Sequence, residues 1–231
     1  ATGTGNVVIQ YFATGGETNI TKIGSARVIQ QFAEGASYRW FIAGEDSNIV
    51  RYSALGDYTY WADLDYIVVG TSEHKVQGFL PIGEYLGVVK ETSTRETALY
   101  FAQQTTVTDS TSTVTSDYSI NSTSSERYVY KVTPATAGIG AVSHNTFAVL
   151  GDEPLFLSMQ GIQGVANYSL TSDKTVRNRS MFLNGKLTNE PDLDTAIACT
   201  WNGYYVLAVN NHAYVLDSRQ KSTDYSGNTS Y

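Results

Sequence analysis

Residues 196–221 read AIACTWNGYYVLAVNNHAYVLDSRQK, three strand-like segments separated by two short turns. Asn202-Gly203 tolerates positive φ at both central positions of a turn, which favours the tight type I′ turn between twisted antiparallel strands. Asn210-Asn211 repeats this turn chemistry before the next apolar segment. The stretch therefore predicts a three-stranded antiparallel meander, which is too small to be stable alone and must pack against other structure.

The middle strand of this meander alternates between two sets of side chains. Tyr205, Leu207 and Val209 are predicted to share one face of the sheet, and Val206 and Ala208 the other. We expect both faces to be largely buried, as in a sheet that lies between two neighbours.

Three comparable groups of short strands precede the meander. The middle strands of the four groups, the meander included, are predicted to open at Tyr38, Tyr85, Phe147 and Tyr204. Repeats of roughly 40 to 50 residues built from short antiparallel strands are typical of β-propellers. We predict an all-β fold that is β-propeller-like, with about four to five antiparallel blades, and keep a β-sandwich as the alternative. One such domain would span residues 1–231, either as the whole protein or as a fragment of a longer chain.

Three further segments carry local predictions. Residues 7–12, VVIQYF, have the length and composition of a strand and would contribute to a fifth blade. Residues 103–126 are mostly Thr and Ser and predict a long hairpin or an exposed loop. Residues 189–194 predict one short helical turn with Asn189 as its cap.

The composition excludes several classes of function. A net charge of −7 argues against a general nucleic-acid binder, which needs a basic surface. No apolar run is long enough to span a bilayer, so no membrane partner is expected. The single cysteine, Cys199, cannot form an intramolecular disulfide and is expected to be buried as a small hydrophobic residue.

The sequence offers only weak motifs for metal binding, cofactor binding or catalysis. His74, His144 and His212 lie in or beside predicted turns without metal-ligand spacing, so no metal site is expected. The acidic residues Glu190, Asp192 and Asp194 lack the pattern of a calcium loop. We find no nucleophile elbow, phosphate loop or dinucleotide fingerprint, and therefore predict neither a cofactor nor catalytic residues.

Exposed aromatic side chains are the candidate contact residues. Tyr58, Tyr60 and Trp61 lie in a connector rich in aromatic and acidic residues, and Trp201 precedes the Asn-Gly turn. These residues are candidates for stacking on a glycan or binding a protein partner, whereas the simpler interpretation of the connector is that it packs on its own blade.

Four parts of the sequence are distinctive when taken together: residues 39–70 (RWFIAGEDSNIVRYSALGDYTYWADLDYIVVG), the pieces LGVVKE and ALYF, residues 154–165 (PLFLSMQGIQGV) and residues 178–221. These segments resemble the β-propeller-like virion structural proteins of tailed bacteriophages and prophages, including the tail-accessory or stabilisation type. They occur in the family's order and cover most of residues 26–221.

The resemblance implies a non-enzymatic building block of a phage particle or tail that acts through protein–protein contacts. Its partners would be other virion proteins or further copies of itself, and its location the virion, or the host cytoplasm during assembly. Two alternatives remain open: a carbohydrate-binding module for host recognition, and a glycoside hydrolase of propeller fold, which needs two facing carboxylates.

Overall fold

The computed structural model describes residues 17–33, 37–44, 48–93, 95–114, 120–165, 176–223 and 229–231. Within these ranges, four antiparallel sheets of three or four strands follow one another along the chain as the blades of a β-propeller. The predicted all-β propeller is therefore confirmed, with four blades rather than the two sheets of a sandwich. The strand predicted at residues 7–12 lies outside the described residues.

Each blade consists of consecutive strands. The first contains β1 (Val28–Phe32), β2 (Arg39–Ala43), β3 (Ile49–Tyr52) and β4 (Tyr66–Val68). The second contains β5 (Val76–Ile82), β6 (Tyr85–Lys90), β7 (Thr97–Val114) and β8 (Ile120–Ala137). The third contains β9 (Ala148–Leu150), β10 (Glu153–Ser158), β11 (Gly161–Val165) and β12 (Val176–Asn178). The fourth contains β13 (Ile197–Trp201), β14 (Tyr204–Val209) and β15 (His212–Asp217).

Smaller elements connect and follow the blades. Helix α1 (Glu17–Gly24), which the sequence pattern did not predict, precedes the first blade, and α2 (Asn184–Leu187) lies between the third and fourth. Short 3-10 turns occur at His144–Thr146 and Leu193–Thr195, and β16 (Ser222–Thr223) pairs with β17 (Thr229–Ser230).

Alternating side chains build three hydrophobic cores among the described residues, one at each junction between consecutive sheets. On β6, Leu86 and Val88 face the first sheet, whereas Val89 faces the third. Phe156 on β10 likewise faces the second sheet, and its neighbour Leu157 faces the fourth. The two inner sheets therefore bury both faces, which explains the almost continuous burial of their middle strands.

The third blade begins one strand later than the sequence pattern indicated. Phe147 was expected to open a middle strand, but it follows a 3-10 turn and precedes β9, the first strand of its sheet. Residues 138–143, which precede this turn, contribute only an isolated parallel bridge between Ala141 and Glu91. The Ser143 hydroxyl accepts a hydrogen bond from the backbone of Asn145, and such local bonds compete with strand pairing.

The predicted cap at Asn189 is also wrong. The 3-10 turn begins after Asp192, which has a left-handed backbone with φ of 53° and makes no side-chain cap. The Asn189 side chain instead donates a hydrogen bond to the carbonyl of Gly185, 2.8 Å away, and so closes the end of α2.

The fourth blade confirms the predicted turn and alternation, but only half of the predicted burial. Asn202 and Gly203 have φ of 48° and 81°, as the type I′ turn requires. Tyr205, Leu207 and Val209 are buried against the third sheet. The expected burial of the opposite face is wrong, since Val206 is half-buried and Ala208 is exposed.

Cys199 is exposed, so its predicted role as a buried hydrophobic residue is wrong as well. It pairs with Val206 and therefore lies on the same side of the sheet. The fourth blade is the last of the four, and Ile197, Trp201 and Val215 on the same side of its sheet are exposed as well. Cys199 is therefore exposed because its blade is the last of the four, and not because of the sequence of its strand.

The hairpin predicted from the Thr- and Ser-rich segment is confirmed. β6 pairs with β7 only as far as Gln103, and beyond this point β7 and β8 pair with each other as far as Val114 and Ile120. Residues 104–114 and 120–130, called the arm below, extend for about 37 Å at about 3.4 Å per residue. The arm therefore projects from the second blade as a two-stranded ribbon.

Residues 229–231 are held against the third blade by Arg179. Its guanidinium contacts Glu153 at 2.7 Å and donates a hydrogen bond to the Thr229 carbonyl at 2.6 Å. The Tyr231 hydroxyl donates to the other Glu153 oxygen at 2.9 Å. Burial, followed by the Glu153 charge, raises the pKa of Tyr231 to about 12.

Candidate interaction surfaces

The uncovered side of the fourth blade is an apolar exposed surface, and it is called the fourth outer face below. Strand register places nine residues on it, in three rows: Ile197, Ala208 and Ala213; Cys199, Val206 and Val215; Trp201, Tyr204 and Asp217. The exposed fractions of Ile197, Trp201 and Val215 are 59%, 69% and 49%. Contiguous exposed apolar surface of this kind marks interaction sites in soluble proteins.

The one carboxylate on the fourth outer face is neutralised within the chain. Arg219 contacts Asp217 at 2.8 Å, and its guanidinium carbon lies 4.6 Å from the centre of the Tyr204 ring. Hydrogen bonds from the Arg219 side chain and backbone lower the pKa of Asp217. The edge of the face therefore carries a paired charge rather than an isolated one.

The corresponding side of the first blade, called the first outer face, is only partly uncovered. Ile29, Tyr66 and Val68 are exposed on it. Ile42 lies on the same side but is buried, and it lines a small hollow together with Lys22 and Ser25 at the end of α1. The end of α1 therefore covers part of this face, which leaves the fourth outer face as the more open of the two.

The predicted aromatic contact residues lie on two different blades. Tyr58 and Tyr60 are exposed in the connector between β3 and β4, whereas Trp201 lies on the fourth outer face. Trp61 is half-buried, and its indole nitrogen donates to the Tyr58 carbonyl at 2.8 Å. The connector thus folds partly on itself, and the structure does not join it to Trp201 in one platform.

The three acidic residues noted in the sequence line a cleft of about 620 Å³, together with Glu91. Glu190 accepts hydrogen bonds from the Tyr214 hydroxyl and from His212, and the Tyr214 bond is the main cause that lowers its pKa. Glu91 accepts a hydrogen bond from the Gln77 side chain at 3.0 Å. Two of the carboxylates in this cleft therefore already have partners within the protein.

The described residues contain no group of three or more His, Cys, Asp or Glu side chains able to hold a metal ion. His212 pairs with Glu190, and His74 lies 3.9 Å from Glu91. His144 lies in a 3-10 turn, and burial lowers its pKa. The three histidines are thus distributed over separate parts of the fold.

A second cleft, called the polar cleft below, has a volume of about 700 Å³. It lies between the end of β1, the turn between β5 and β6, and the root of the arm. The residues that line it include Gln31, Glu84, Gln103, Gln104, Thr105, Thr106 and Tyr128. Strand register places Gln104, Thr106 and Tyr128 on the face of the arm that continues the surface packed against the first blade. None of them was predicted from the sequence, because single glutamines and threonines spread over three segments form no local motif.

No protein-family model matches this chain, and no curated protein matches its sequence significantly. None of the helices in the described ranges has the length and hydrophobicity needed to cross a membrane. Function is therefore inferred from the surfaces of the molecule.

Proposed function

We propose that this protein is a non-enzymatic structural component that acts through protein–protein contacts made by its fourth outer face. The observation that carries this proposal is the exposure of Ile197, Trp201 and Val215 on one sheet surface. In the inner blades, the equivalent sides are covered by the next sheet and form hydrophobic cores. A sheet from another subunit would cover the fourth outer face in the same way.

The size of the face indicates what kind of contact it makes. Three strands about 4.8 Å apart and about 20 Å long present roughly 300 Å² in projection. A stable interface buries about 800 Å² on each partner. The fourth outer face is therefore proposed as one of several contacts, as expected for a component with neighbours on more than one side.

The resemblance described above supports a tailed-phage particle or tail as the assembly. The partners would then be other virion proteins or further copies of this chain, and the location would be the virion, or the host cytoplasm during assembly. Of the alternatives, carbohydrate binding is favoured by a specific observation, the polar cleft at the root of the arm.

The test uses Cys199 as a reporter, because it is the only cysteine of the chain and lies on the fourth outer face. The purified protein, alone and mixed with the products of neighbouring reading frames, is analysed by light scattering and by the rate of maleimide labelling. We expect assemblies heavier than the 25.2 kDa chain, with slower labelling of Cys199.

A matched pair of variants assigns the contact to the face. Val215→Lys should weaken assembly and restore the labelling of Cys199, because it places an unpaired charge in the apolar contact. Val149→Lys is the control, since Val149 is exposed to a similar fraction, 45%, but lies on β9. Separate components in every mixture, with unchanged labelling, would refute the proposal.

A further inference from the structure

We propose that the polar cleft at the root of the arm binds a neutral oligosaccharide. This site is distinct from the fourth outer face, and the inference does not depend on the proposed function. The cleft volume of about 700 Å³ lies within the range of about 300–1,000 Å³ that is usual for small-molecule sites.

Unused hydrogen-bonding groups are the first observation in favour of a ligand. The side chains of Gln104, Thr106 and Tyr128 make no hydrogen bond to another described residue. Glutamines elsewhere in the blades are engaged: Gln77 donates to Glu91 at 3.0 Å, and Gln163 donates to Ser158 at 3.1 Å. The three polar groups on the cleft side of the arm are therefore available to a bound molecule.

The chemistry of these groups matches a ligand rich in hydroxyls. A glutamine amide offers two donors and an acceptor, and a hydroxyl both donates and accepts. Gln104 and Thr106 lie on the same face of β7, and Tyr128 pairs with Thr106 on that face. These neighbouring polar groups can therefore bond to several hydroxyls of one sugar chain.

Apolar surface in the cleft suits the C–H faces of a sugar ring. Pro81 lines it together with Gln104, and Tyr128 is 40% exposed at its margin. An aromatic side chain with an apolar body and a polar tip can contact a ring face while its hydroxyl stays hydrated.

Charge selects against anionic ligands. Among the described residues that line the cleft, Glu84 is the one charged side chain, and no Lys, Arg or His is present. The chain also carries a net charge of −7. A phosphate or an acidic sugar would be repelled, so the ligand class is a neutral oligosaccharide.

The test is a binding measurement by calorimetry and ligand-observed NMR on the full 231-residue chain. The probes are neutral trisaccharides of glucose, galactose and N-acetylglucosamine, with sialyllactose as an anionic comparison. We expect binding of at least one neutral probe and none of sialyllactose. Gln104→Ala and Thr106→Ala should each weaken binding about tenfold through lost hydrogen bonds.

Matched controls separate this cleft from other sites. Gln220→Ala removes an exposed glutamine outside the cleft and should leave binding unchanged, as should Tyr58→Ala and Val215→Lys. Equal melting temperatures would show that the variants fold. Binding of no neutral probe, or binding that is insensitive to both Gln104→Ala and Thr106→Ala, would overturn the proposal.

Discussion

Arg179 provides a sharp test of how residues 229–231 are held to the third blade. Its side chain is 9% exposed and its partner Glu153 is 11% exposed, with 2.7 Å between them. Removing one member of a buried ion pair costs about 3–5 kcal/mol, because the other charge stays buried without a partner. We expect Arg179→Met to lower the free energy of unfolding by about this amount.

The double variant shows whether the cost comes from the unpaired charge. Replacing both members of a buried pair by apolar residues of similar volume is often neutral. Arg179→Met combined with Glu153→Met should therefore cost less than the sum of the single variants. Urea denaturation followed by intrinsic fluorescence measures all three free energies.

An exposed ion pair with nearly the same geometry serves as the control. Arg219 contacts Asp217 at 2.8 Å, but its side chain is 60% exposed. Arg219→Met should destabilise the protein far less than Arg179→Met, because solvent screens the exposed pair. Additivity of the Arg179 and Glu153 variants within about 0.5 kcal/mol would refute the reasoning.

Four further predictions concern the cores and a turn. The buried Tyr130 hydroxyl has no partner among the described residues, so Tyr130→Phe should stabilise the protein by about 1 kcal/mol in urea denaturation. Burial raises the pKa of Tyr130 to about 12 in the folded protein, so the phenol ionises first in the unfolded chain. The stability of the wild-type protein should therefore fall between pH 10 and 12. Tyr130→Phe should lose less stability over that range. Leu207→Ala should cost about 2–5 kcal/mol in the same assay, whereas Ala208→Ser on the exposed side should change little. Gly203→Ala should lower the free energy of unfolding by about 1 kcal/mol, and with it the melting temperature. The reason is that Gly203 has φ of 81°, where a side chain is strained.

Local sequence was sufficient to predict most strands and their turns. Asn202-Gly203 encodes its turn directly, because few residues adopt positive φ at both positions. For the Thr- and Ser-rich segment, the sequence did not distinguish a long hairpin from an exposed loop, since its composition permits both. The start of the third blade was predicted wrongly, because Phe147 has the sequence surroundings of a residue that opens a strand. The Ser143 hydrogen bond that competes with strand pairing leaves no trace in the hydrophobic pattern.

The candidate surfaces depended on contacts between distant parts of the chain. The polar cleft joins Gln31 to Gln103 and Tyr128, and no local pattern connects such residues. The aromatic residues chosen from the sequence were divided between two blades by the same long-range packing.

Residues 196–221 show the difference between what local sequence encodes and what depends on contacts with a neighbouring sheet. The alternation along β14 established from sequence alone that Leu207 and Val206 point to opposite sides, because the geometry of an extended backbone has a period of two. Whether each side is buried depends on a neighbouring sheet, which is distant in the chain or belongs to another molecule. Leu207 is covered by the third blade and Cys199 is not covered, although both belong to the same three-stranded sheet.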